Sequence, residues 1–224
     1  MNGTNLRREI ENTNNCDYRV SLIIPIYNMA EWLDTCFRSI LNQSIDPQMV
    51  EVLMIDDGSE DNSLDIMKRY SEKYSNFKCY TKENGGPAQA RNYGIKHATG
   101  KYLMYLDPDD YLGKNTIESV CNFFDRHYDE IDVVTYKIIP IKDGEEQDLH
   151  FRYEVLKSQG VYDLTEPENS FICHTTMNTC VKNKFEKNVL FSENLFYHED
   201  QKYNIDTLKE KQKIGYCDNA EYYY

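Results

Sequence analysis

The chain has 224 residues, of which 40 % are hydrophobic, and it carries a formal net charge of −13. This length fits one sizeable α/β domain, or one domain with an appendage. The negative charge argues against a nucleic acid as the main partner, and no run of about 18 apolar residues is present to predict a membrane span. A phosphate-bearing ligand would need local positive charge, from a metal ion or an arginine, to bind so acidic a protein.

The first 18 residues are polar and charged, and they lack the apolar run of a secretory signal. We therefore expect residues 1–18 to form an N-terminal extension of a cytoplasmic protein. Seven cysteines, an odd number without a C-x-x-C pair, predict reduced thiols that mostly fill the core. Cys173, His174 and Cys180 do not have the spacing of a known zinc site, so no zinc is expected there.

Strand and helix patterns alternate from residue 20 to residue 106. Branched apolar runs predict strands at 20–25, 50–55, 77–81 and 102–106. Apolar residues at helical spacing predict helices between the strands, at 30–42, 61–74 and 88–98. Such a β-α-β-α-β-α-β series implies a mainly parallel, doubly wound sheet flanked by helices, so the predicted fold class is α/β.

Two side chains within this series have predicted structural roles. Trp32 falls on the apolar stripe of the first helix, which favours a place in the core or in the packing of the helix over a role as a platform for a sugar. Ser59 is expected to cap the second helix, with Asn62 as the alternative cap.

Acidic or glycine-rich loops follow three of the strands, near Tyr27, Asp57 and Asp107. Because right-handed crossovers place the carboxyl ends of parallel strands at one edge, we expect these loops to line a common crevice. Asp107-Pro108-Asp109 follows a buried strand directly, and its carboxylates can offer oxygen to a divalent metal ion that also binds substrate phosphates. A solvated turn with a helix N-cap is the alternative interpretation of this D-x-D sequence.

The second half of the chain is patterned more loosely. Helices are predicted at 115–127, 166–171 and 198–209, strands at 131–136, 178–181 and 213–217, and a mobile excursion or hairpin at 140–160. Glu199 and Asp200 lie in the first turn of the last helix, where acids complement the helix dipole, so structure alone could explain them. The chain stops at Tyr222–Tyr224 without a cap, and we expect it to be the catalytic part of a longer protein with further domains C-terminal to it.

Four segments in order resemble the family 2 glycosyltransferases of the GT-A fold. They are Val20–Pro25 with Tyr27-Asn28, Ile55–Ser59, Asn84-Gly85 with Ala90–Gly94, and Leu106–Asp110. Each segment alone is weakly specific, but their order and spacing match the family over residues 20–112. His198–Gln201 resembles the acid pair that carries the catalytic base in this family. The resemblance implies an inverting transfer of a sugar from a nucleotide donor, usually a UDP-sugar, to a hydroxyl group.

The resemblance also implies roles for residues of the donor site. Pro25 and Tyr27 would hold the nucleotide base, with Tyr27 stacked on uracil, and Asp57 would accept a hydrogen bond from the uracil imide. Asn84 belongs to the same nucleotide-binding set, and Arg91 would approach the pyrophosphate.

The resemblance also implies that four carboxylates bind the metal ion or act in catalysis. Asp109 would bind Mn²⁺ or Mg²⁺, and Asp107 would meet the ribose, the metal ion or a metal-bound water. Inversion by a single displacement needs a base on the far side of the sugar to take the proton of the acceptor. Asp200 is the first choice for this base and Glu199 the second.

The family further implies how the chain is divided and where it acts. Residues 19–112 would form the nucleotide-sugar-binding half of the domain, and residues 113–224 a smaller acceptor-side half. The acceptor would be a saccharide or a lipid-linked saccharide destined for a cell-surface polysaccharide. The aromatic-and-basic motif of processive members is not visible, so we expect a non-processive enzyme, in the cytoplasm or associated peripherally with the inner face of the membrane.

Other functions make different demands on the sequence. A nucleotidyltransferase would need a glycine-rich, basic phosphate loop after the first strand, and residues 26–31 contain neither a glycine nor a basic residue. A phosphatase with a nucleophilic aspartate would need its D-x-D at the end of that strand, where Pro25-Ile26-Tyr27 stands. A non-catalytic GT-A-like module that binds a sugar nucleotide or a partner protein is the remaining alternative, although the intact acids argue against it.

Overall fold

The computed structural model of this chain describes residues 18–147, 156, 158–169, 176–195 and 198–224. The predicted N-terminal extension, apart from Tyr18, lies outside these ranges, and so does the Cys173-His174 pair. No helix within these ranges is long and apolar enough to cross a membrane.

Four parallel strands form one half of the central sheet. They span Val20–Ile26 (β1), Val50–Asp56 (β2), Phe77–Thr81 (β3) and Tyr102–Tyr105 (β4). They stand in the order β3-β2-β1-β4, and every residue of β1 and β2 is buried. Burial of whole strands is expected where helices cover both faces of a parallel sheet, and all four strands lie where the sequence predicts them.

Helices do cover both faces. They span Leu33–Leu41 (α1), Ser63–Lys73 (α2), Pro87–His97 (α3), Thr116–Arg126 (α4) and Glu199–Leu208 (α5). Successive residues of a strand point to opposite faces, so Leu22 and Ile24 pack in the apolar cluster that includes α1, α2 and α4, whereas Ile23 packs in the cluster that includes α3 and α5. The doubly wound α/β class is thereby confirmed.

The second half of the sheet is mixed. The remaining strands span Tyr111–Leu112 (β5), Val133–Ile139 (β6), Ile141–Lys142 (β7), Glu145–Glu146 (β8), Gly160–Asp163 (β9), Thr179–Lys182 (β10) and Lys213–Tyr223 (β11). From β4 the sheet continues through β10, β6 and β11 to β5, and β9 pairs with β11. Because β10 runs antiparallel beside β4, the two predicted halves of the domain share one continuous sheet. The small hairpin β7-β8 lies within the predicted excursion at 140–160.

The predicted place of Trp32 in the core is wrong. α1 begins only at Leu33, after a turn in which the N–H groups of Trp32 and Leu33 both donate to the carbonyl of Met29. Trp32 therefore occupies the N-cap position, off the buried face of the helix, and 47 % of its surface is exposed.

The first choice for the cap of the second helix, Ser59, is also wrong. α2 begins at Ser63, and its first N–H donates to Asp61 Oδ1. The Ser59 hydroxyl instead accepts the N–H of Asn28, which ties the loops after β1 and β2 together. Asn62, the predicted alternative, does occupy the N-cap position, but its side chain makes no cap hydrogen bond with the described residues.

Other boundaries differ from the predictions. The last strand continues to Tyr223 instead of ending at residue 217, with a register shift against β6 between Cys217 and Glu221. Within the predicted helix at 166–171, only the short 3-10 turn Pro167–Asn169 is described. The strands β5 and β9, which are two and four residues long, were not predicted.

Candidate active site

A cleft of about 400 Å³ opens at the carboxyl ends of β1, β2 and β4. It is lined by Pro25, Ile26, Tyr27, Met29, Asp57, Asn84, Gly86, Pro87, Ala90, Arg91, Asp107, Pro108 and Asp109. The volume is in the range of small-ligand pockets, and the position is where open α/β sheets bind ligands. The three loops therefore meet as the sequence predicts, and every residue assigned to the donor or to the metal ion lines this one cleft.

The loop after β1 presents an aromatic face to the cleft. Asn28 has a positive φ of 55°, a conformation that asparagine tolerates better than most residues. Its side-chain oxygen accepts the N–H groups of Glu60 and Asp61, which fixes the loop against its neighbour. Tyr27 beside it lines the cleft with 45 % of its surface exposed, so its ring is available to a ligand.

Asp57, after β2, is buried and organises the loop that leads into α3. Its carboxylate accepts the N–H groups of Gly85 and Gly86 and pairs with Lys82 Nζ. Gly86 has a φ of 86°, which a residue without Cβ adopts at little cost. These donors use about three of the four lone-pair positions of the carboxylate, so about one remains for a ligand. Asn84, just before the glycines, is exposed at the cleft.

Arg91 of α3 is a buried cation in the wall of the cleft. Its Nη2 donates to Asp107 Oδ1 at 2.9 Å, its Nη1 lies 3.8 Å from Glu199 Oε1, and its guanidinium carbon lies 5.5 Å from the ring centre of Phe191. Burial alone would lower the pKa of Arg91, but the charges of Asp107 and Glu199 outweigh burial and raise the pKa. The Nε–H is buried without a hydrogen-bond partner in the described part of the chain. An anion in the cleft would satisfy this donor.

The two acids of the D-P-D turn have different surroundings. Asp107 is held by Arg91, whereas Asp109 is exposed and receives no hydrogen bond from the described residues. Those residues also contain no group of three or more His, Cys, Asp or Glu side chains that could hold a metal ion. The donor set still fits an ion of the Mg²⁺ type, because such ions use one or two carboxylates and complete their shell with water and substrate phosphate.

Asp110, the third acid of the cluster, does not line the cleft. It is 8 % exposed, and its Oδ2 accepts a hydrogen bond of 2.6 Å from the Tyr222 hydroxyl. Burial raises the pKa of Asp110 to about 7, against the lowering effect of the Tyr222 hydrogen bond and with a further contribution from the charges of Asp107 and Asp109. The acid cluster at the end of β4 is therefore divided between the cleft and the interior.

Helix α5 brings only one of the two candidate catalytic acids into contact with the donor-site residues. Glu199 forms the ion pair with Arg91. Asp200 accepts a hydrogen bond from the N–H of Gln201 and has no cationic partner within the described ranges. Both acids lie in the first helical turn, as predicted, and neither lines the cleft itself.

Three side chains that contact the site were not predicted. Lys82 directly follows β3, which pairs with β2, and Asp57 directly follows β2. A lysine and an aspartate at the same end of two neighbouring strands could have indicated this ion pair. Phe191 reaches the buried guanidinium, and its loop is fixed because the Phe191 N–H donates to Asn92 Oδ1 at 2.8 Å. Tyr222 lies 112 residues after Asp110, and nothing in its local sequence indicates the contact.

Known proteins are similar to this chain in sequence. The family described as Glycosyl transferase family 2 matches residues 21–188. The minor teichoic acid biosynthesis protein GgaB of Bacillus subtilis (strain 168) is 37 % identical over 218 residues, which cover 95 % of this chain and 23 % of GgaB. The poly(ribitol-phosphate) beta-N-acetylglucosaminyltransferase TarS of Staphylococcus aureus (strain Mu50 / ATCC 700699) is 26 % identical over 215 residues, which cover 92 % of this chain and 35 % of TarS.

The fold is shared with a solved structure as well. The crystal structure of S. aureus TarS 1-349 in complex with UDP-GlcNAc matches with a TM-score of 0.77 at 26 % identity, over 92 % of this chain and 58 % of that chain. The chain thus spans 23 % and 35 % of the lengths of GgaB and TarS. The family match over most of the chain and the shared architecture lead to one conclusion: this chain belongs to glycosyl transferase family 2 and has the GT-A fold.

Proposed function

We propose that this chain is a metal-dependent inverting glycosyltransferase that moves a sugar from a UDP-sugar to a hydroxyl of a saccharide or lipid-linked saccharide acceptor. The observation that carries the proposal is the cleft in which, among the described residues, the buried Arg91 Nε–H has no partner and the Asp109 carboxylate is open. Such a pair suits a diphosphate bound together with a divalent cation. TarS has been solved with UDP and with UDP-GlcNAc, which supports UDP as the nucleotide here.

The nucleoside would occupy the part of the cleft beside β1 and β2. Tyr27 would stack on the uracil, with Pro25 and Asn84 at its edges, and Asp57 would accept the imide N–H with its remaining lone pair. Cytosine presents an acceptor at the equivalent ring nitrogen, so a buried carboxylate would face it without a donor. Unpaired buried polar groups are costly, and we therefore expect the site to discriminate against CDP.

The diphosphate would lie between Arg91 and the D-P-D turn. Asp109 would bind Mn²⁺ or Mg²⁺, with Asp107 as a second ligand or as the partner of a metal-bound water. The ion, when bound, neutralises negative charge that develops on the leaving diphosphate. Arg91 would add a fixed positive charge, held in place by Asp107 and Glu199, and would donate its free Nε–H to a phosphate oxygen.

Asp200 is the proposed general base, with Glu199 as the second candidate. In the transfer, the acceptor oxygen bonds to the anomeric carbon, the bond from that carbon to the diphosphate oxygen breaks, and the acceptor proton passes to the carboxylate. Glu199 is occupied by its ion pair with Arg91, whereas Asp200 has no cation beside it among the described residues. This difference supports Asp200 as the proton acceptor.

The names of the relatives suggest the wider setting. GgaB is named for minor teichoic acid biosynthesis and TarS for poly(ribitol-phosphate), and we propose a cell-surface polymer or its lipid-linked precursor as the acceptor. A hexose or an N-acetylhexosamine would be transferred at the cytoplasmic face of the membrane. Residues 19–112 would supply the donor half and residues 113–224 the acceptor half, next to further domains.

Calorimetric titration of UDP in Mn²⁺, in Mg²⁺ and in EDTA tests the proposal, with CDP and GDP as controls. We expect saturable UDP binding that weakens about tenfold or more in EDTA, because the ion links the carboxylates to the diphosphate. UDP-sugars should release UDP slowly in the presence of metal and not in EDTA.

Two other outcomes would point elsewhere. Metal-dependent UDP binding with no release of UDP from UDP-glucose, UDP-galactose or their N-acetylhexosamine counterparts would favour the non-catalytic module. Absence of binding by all three nucleotides would contradict the proposed enzyme and favour a module that binds a partner protein.

A further inference from the structure

Tyr222 connects the last strand to the D-P-D turn. β11 pairs with β5, and Tyr222 stands opposite Leu112 in this pairing. Since β5 begins immediately after the acid cluster, the pairing brings the fully buried Tyr222 ring next to the turn. The contact joins residues 112 positions apart in the sequence.

One atom, the Tyr222 Oη, makes two hydrogen bonds to the turn. It accepts the N–H of Asp107 at 3.0 Å and donates to Asp110 Oδ2 at 2.6 Å. The N–H of Asp110 in turn donates to the Asp107 carbonyl at 3.1 Å. Both ends of the four-residue acidic segment are thus fixed by the same hydroxyl, while Asp109 between them remains exposed.

This arrangement keeps one acid out of the cleft and leaves two in it. Asp107 and Asp109 line the cleft, whereas Asp110 is buried against Tyr222. A buried carboxylate without a donor is costly, so the hydroxyl stabilises the inward position of Asp110. A further contact to the turn backbone, from Cys36 Sγ to the Asp107 carbonyl, spans 3.9 Å and involves a weak donor.

We propose that Tyr222 is a positioning residue for the metal-binding turn, because its hydroxyl holds Asp107 and Asp110 so that Asp107 and Asp109 present their carboxylates together. The inference rests on the proposed function, since it assigns the turn to a metal ion and a diphosphate. Groups that orient metal ligands typically change metal affinity about 10- to 100-fold. Tyr222 needs only its hydroxyl for this task, while its ring contributes to the core.

The substitution Tyr222→Phe tests the inference, because it keeps the ring and removes the hydroxyl. At a fixed UDP concentration, we expect the Mn²⁺ concentration for half-maximal binding to rise about 10- to 100-fold. UDP affinity in EDTA should stay within about twofold of the wild type, since Tyr222 does not line the cleft, and saturating Mn²⁺ should restore most of the turnover.

A matched control is the neighbouring Tyr223→Phe. The Tyr223 hydroxyl donates to Glu221 Oε2 and does not contact the turn, so its removal should leave the Mn²⁺ requirement within about twofold of the wild type. Asp110→Ala removes one of the two hydrogen bonds of the Tyr222 hydroxyl and should raise the Mn²⁺ requirement in the same direction as Tyr222→Phe. The double variant should be no worse than Tyr222→Phe, which already removes both hydrogen bonds. If Tyr222→Phe does not fold, the Mn²⁺ requirement and the UDP affinity in EDTA of Asp110→Ala test the inference in its place.

The outcomes separate this inference from the proposed function. If the wild type shows no metal-dependent UDP binding, the proposed function fails and the inference fails with it. If the wild type binds and Tyr222→Phe has an unchanged Mn²⁺ requirement, only the inference is overturned. Equal loss of UDP affinity in EDTA and in Mn²⁺ would also overturn it, because that result would indicate general damage to the cleft.

Discussion

A buried acid lies at each end of the parallel strands, and each of these acids forms an ion pair with a lysine. The two acids belong to β2 and to the loop after it, and the two lysines belong to β3 and to the loop after it. Glu51, at the amino ends, pairs with Lys78, and Asp57, at the carboxyl ends, pairs with Lys82. Both carboxylates also accept backbone N–H groups, Glu51 from Thr99 and Asp57 from the glycine loop. Judged by their own contacts, the two sites are much alike.

Their surroundings differ. At the amino ends, Glu51 is fully buried and accepts further hydrogen bonds from the hydroxyls of Ser21 and Thr99. Burial alone would raise the pKa of Glu51, but hydrogen bonds from Lys78, Ser21 and Thr99 outweigh burial and hold the pKa below its ordinary value. In this network the charges of Glu51 and Lys78 are paired with each other.

At the carboxyl ends, charge remains available to a ligand. The cleft of about 400 Å³ contains the Arg91 Nε–H, which is buried and without a partner among the described residues, and the exposed Asp109 carboxylate. The comparison teaches that a buried acid alone does not mark a site. A buried donor without a partner and an open carboxylate beside a cavity do, because both are available to a ligand.

The largest effect is expected from a change at the carboxyl ends. Asp109→Ala should reduce sugar transfer about a thousandfold, since loss of the bound ion removes several kcal/mol of charge stabilisation. The folded state should be as stable as the wild type, because Asp109 is exposed. Steady-state kinetics and thermal unfolding measure the two quantities.

A remote acid serves as the control for Asp109→Ala. Asp218 is exposed on β11 and does not line the cleft, so Asp218→Ala should retain transfer within about twofold. Full activity of Asp109→Ala would show that the metal assignment is wrong.

Asp200→Asn separates catalysis from ligand binding within the site, because it should slow the transfer step without weakening UDP binding. We expect transfer to fall about 100-fold or more, in the range of lost general-base catalysis, and metal-dependent UDP binding to stay within about twofold. Rapid-quench kinetics and UDP titration check the two parts. A parallel loss of UDP binding would indicate that Asp200 has a structural role at the start of α5, and larger damage from Glu199→Gln would transfer the role of base to Glu199.

The smallest effect on activity is expected at the amino ends. Glu51→Gln should lower the free energy of unfolding by about 1.5–3 kcal/mol, since it weakens hydrogen bonds to a charged group, and it should leave sugar transfer nearly unchanged. Because the pKa of Glu51 in the folded state lies below the unfolded value of 4.5, its contribution to stability is present above about pH 4.5 and is lost as the pH falls through the folded pKa.

Urea unfolding at several pH values measures this contribution. Glu51→Gln should show a flatter fall in stability below pH 4.5 than the wild type. Glu72→Gln, at an exposed position of α2, is the control and should follow the wild type. Identical pH curves for Glu51→Gln and the wild type would contradict the structural role.

The sequence predicts the parallel half of the fold and the position of the cleft. Its strands are continuous apolar runs, and the residues of the cleft follow those strands within a few positions, so local pattern and topology together bring Tyr27, Asp57 and Asp107 to one edge. The mixed half was harder to predict, because β5 has only two residues and both β5 and β9 depend on β11 for pairing.

Contacts between distant segments could not be predicted from local pattern. Tyr222 reaches the turn only through the pairing of β11 with β5, and Glu51 collects donors from three other segments. The prediction for Trp32 assumed that the helix includes this residue, so that its apolar spacing would place it on the buried face. The turn at Met29 makes α1 begin only after Trp32. In each case tertiary structure determines a contact or a helix boundary that the local sequence does not specify.

The most direct test of the contrast between the two ends is UDP titration in Mn²⁺ of Asp109→Ala and Glu51→Gln side by side, at a pH and temperature where both are folded. We predict that Glu51→Gln binds UDP like the wild type, whereas Asp109→Ala binds as weakly in Mn²⁺ as the wild type does in EDTA. Equal weakening in both variants, or wild-type binding by Asp109→Ala, would contradict the assignment of structure to one end and ligand binding to the other.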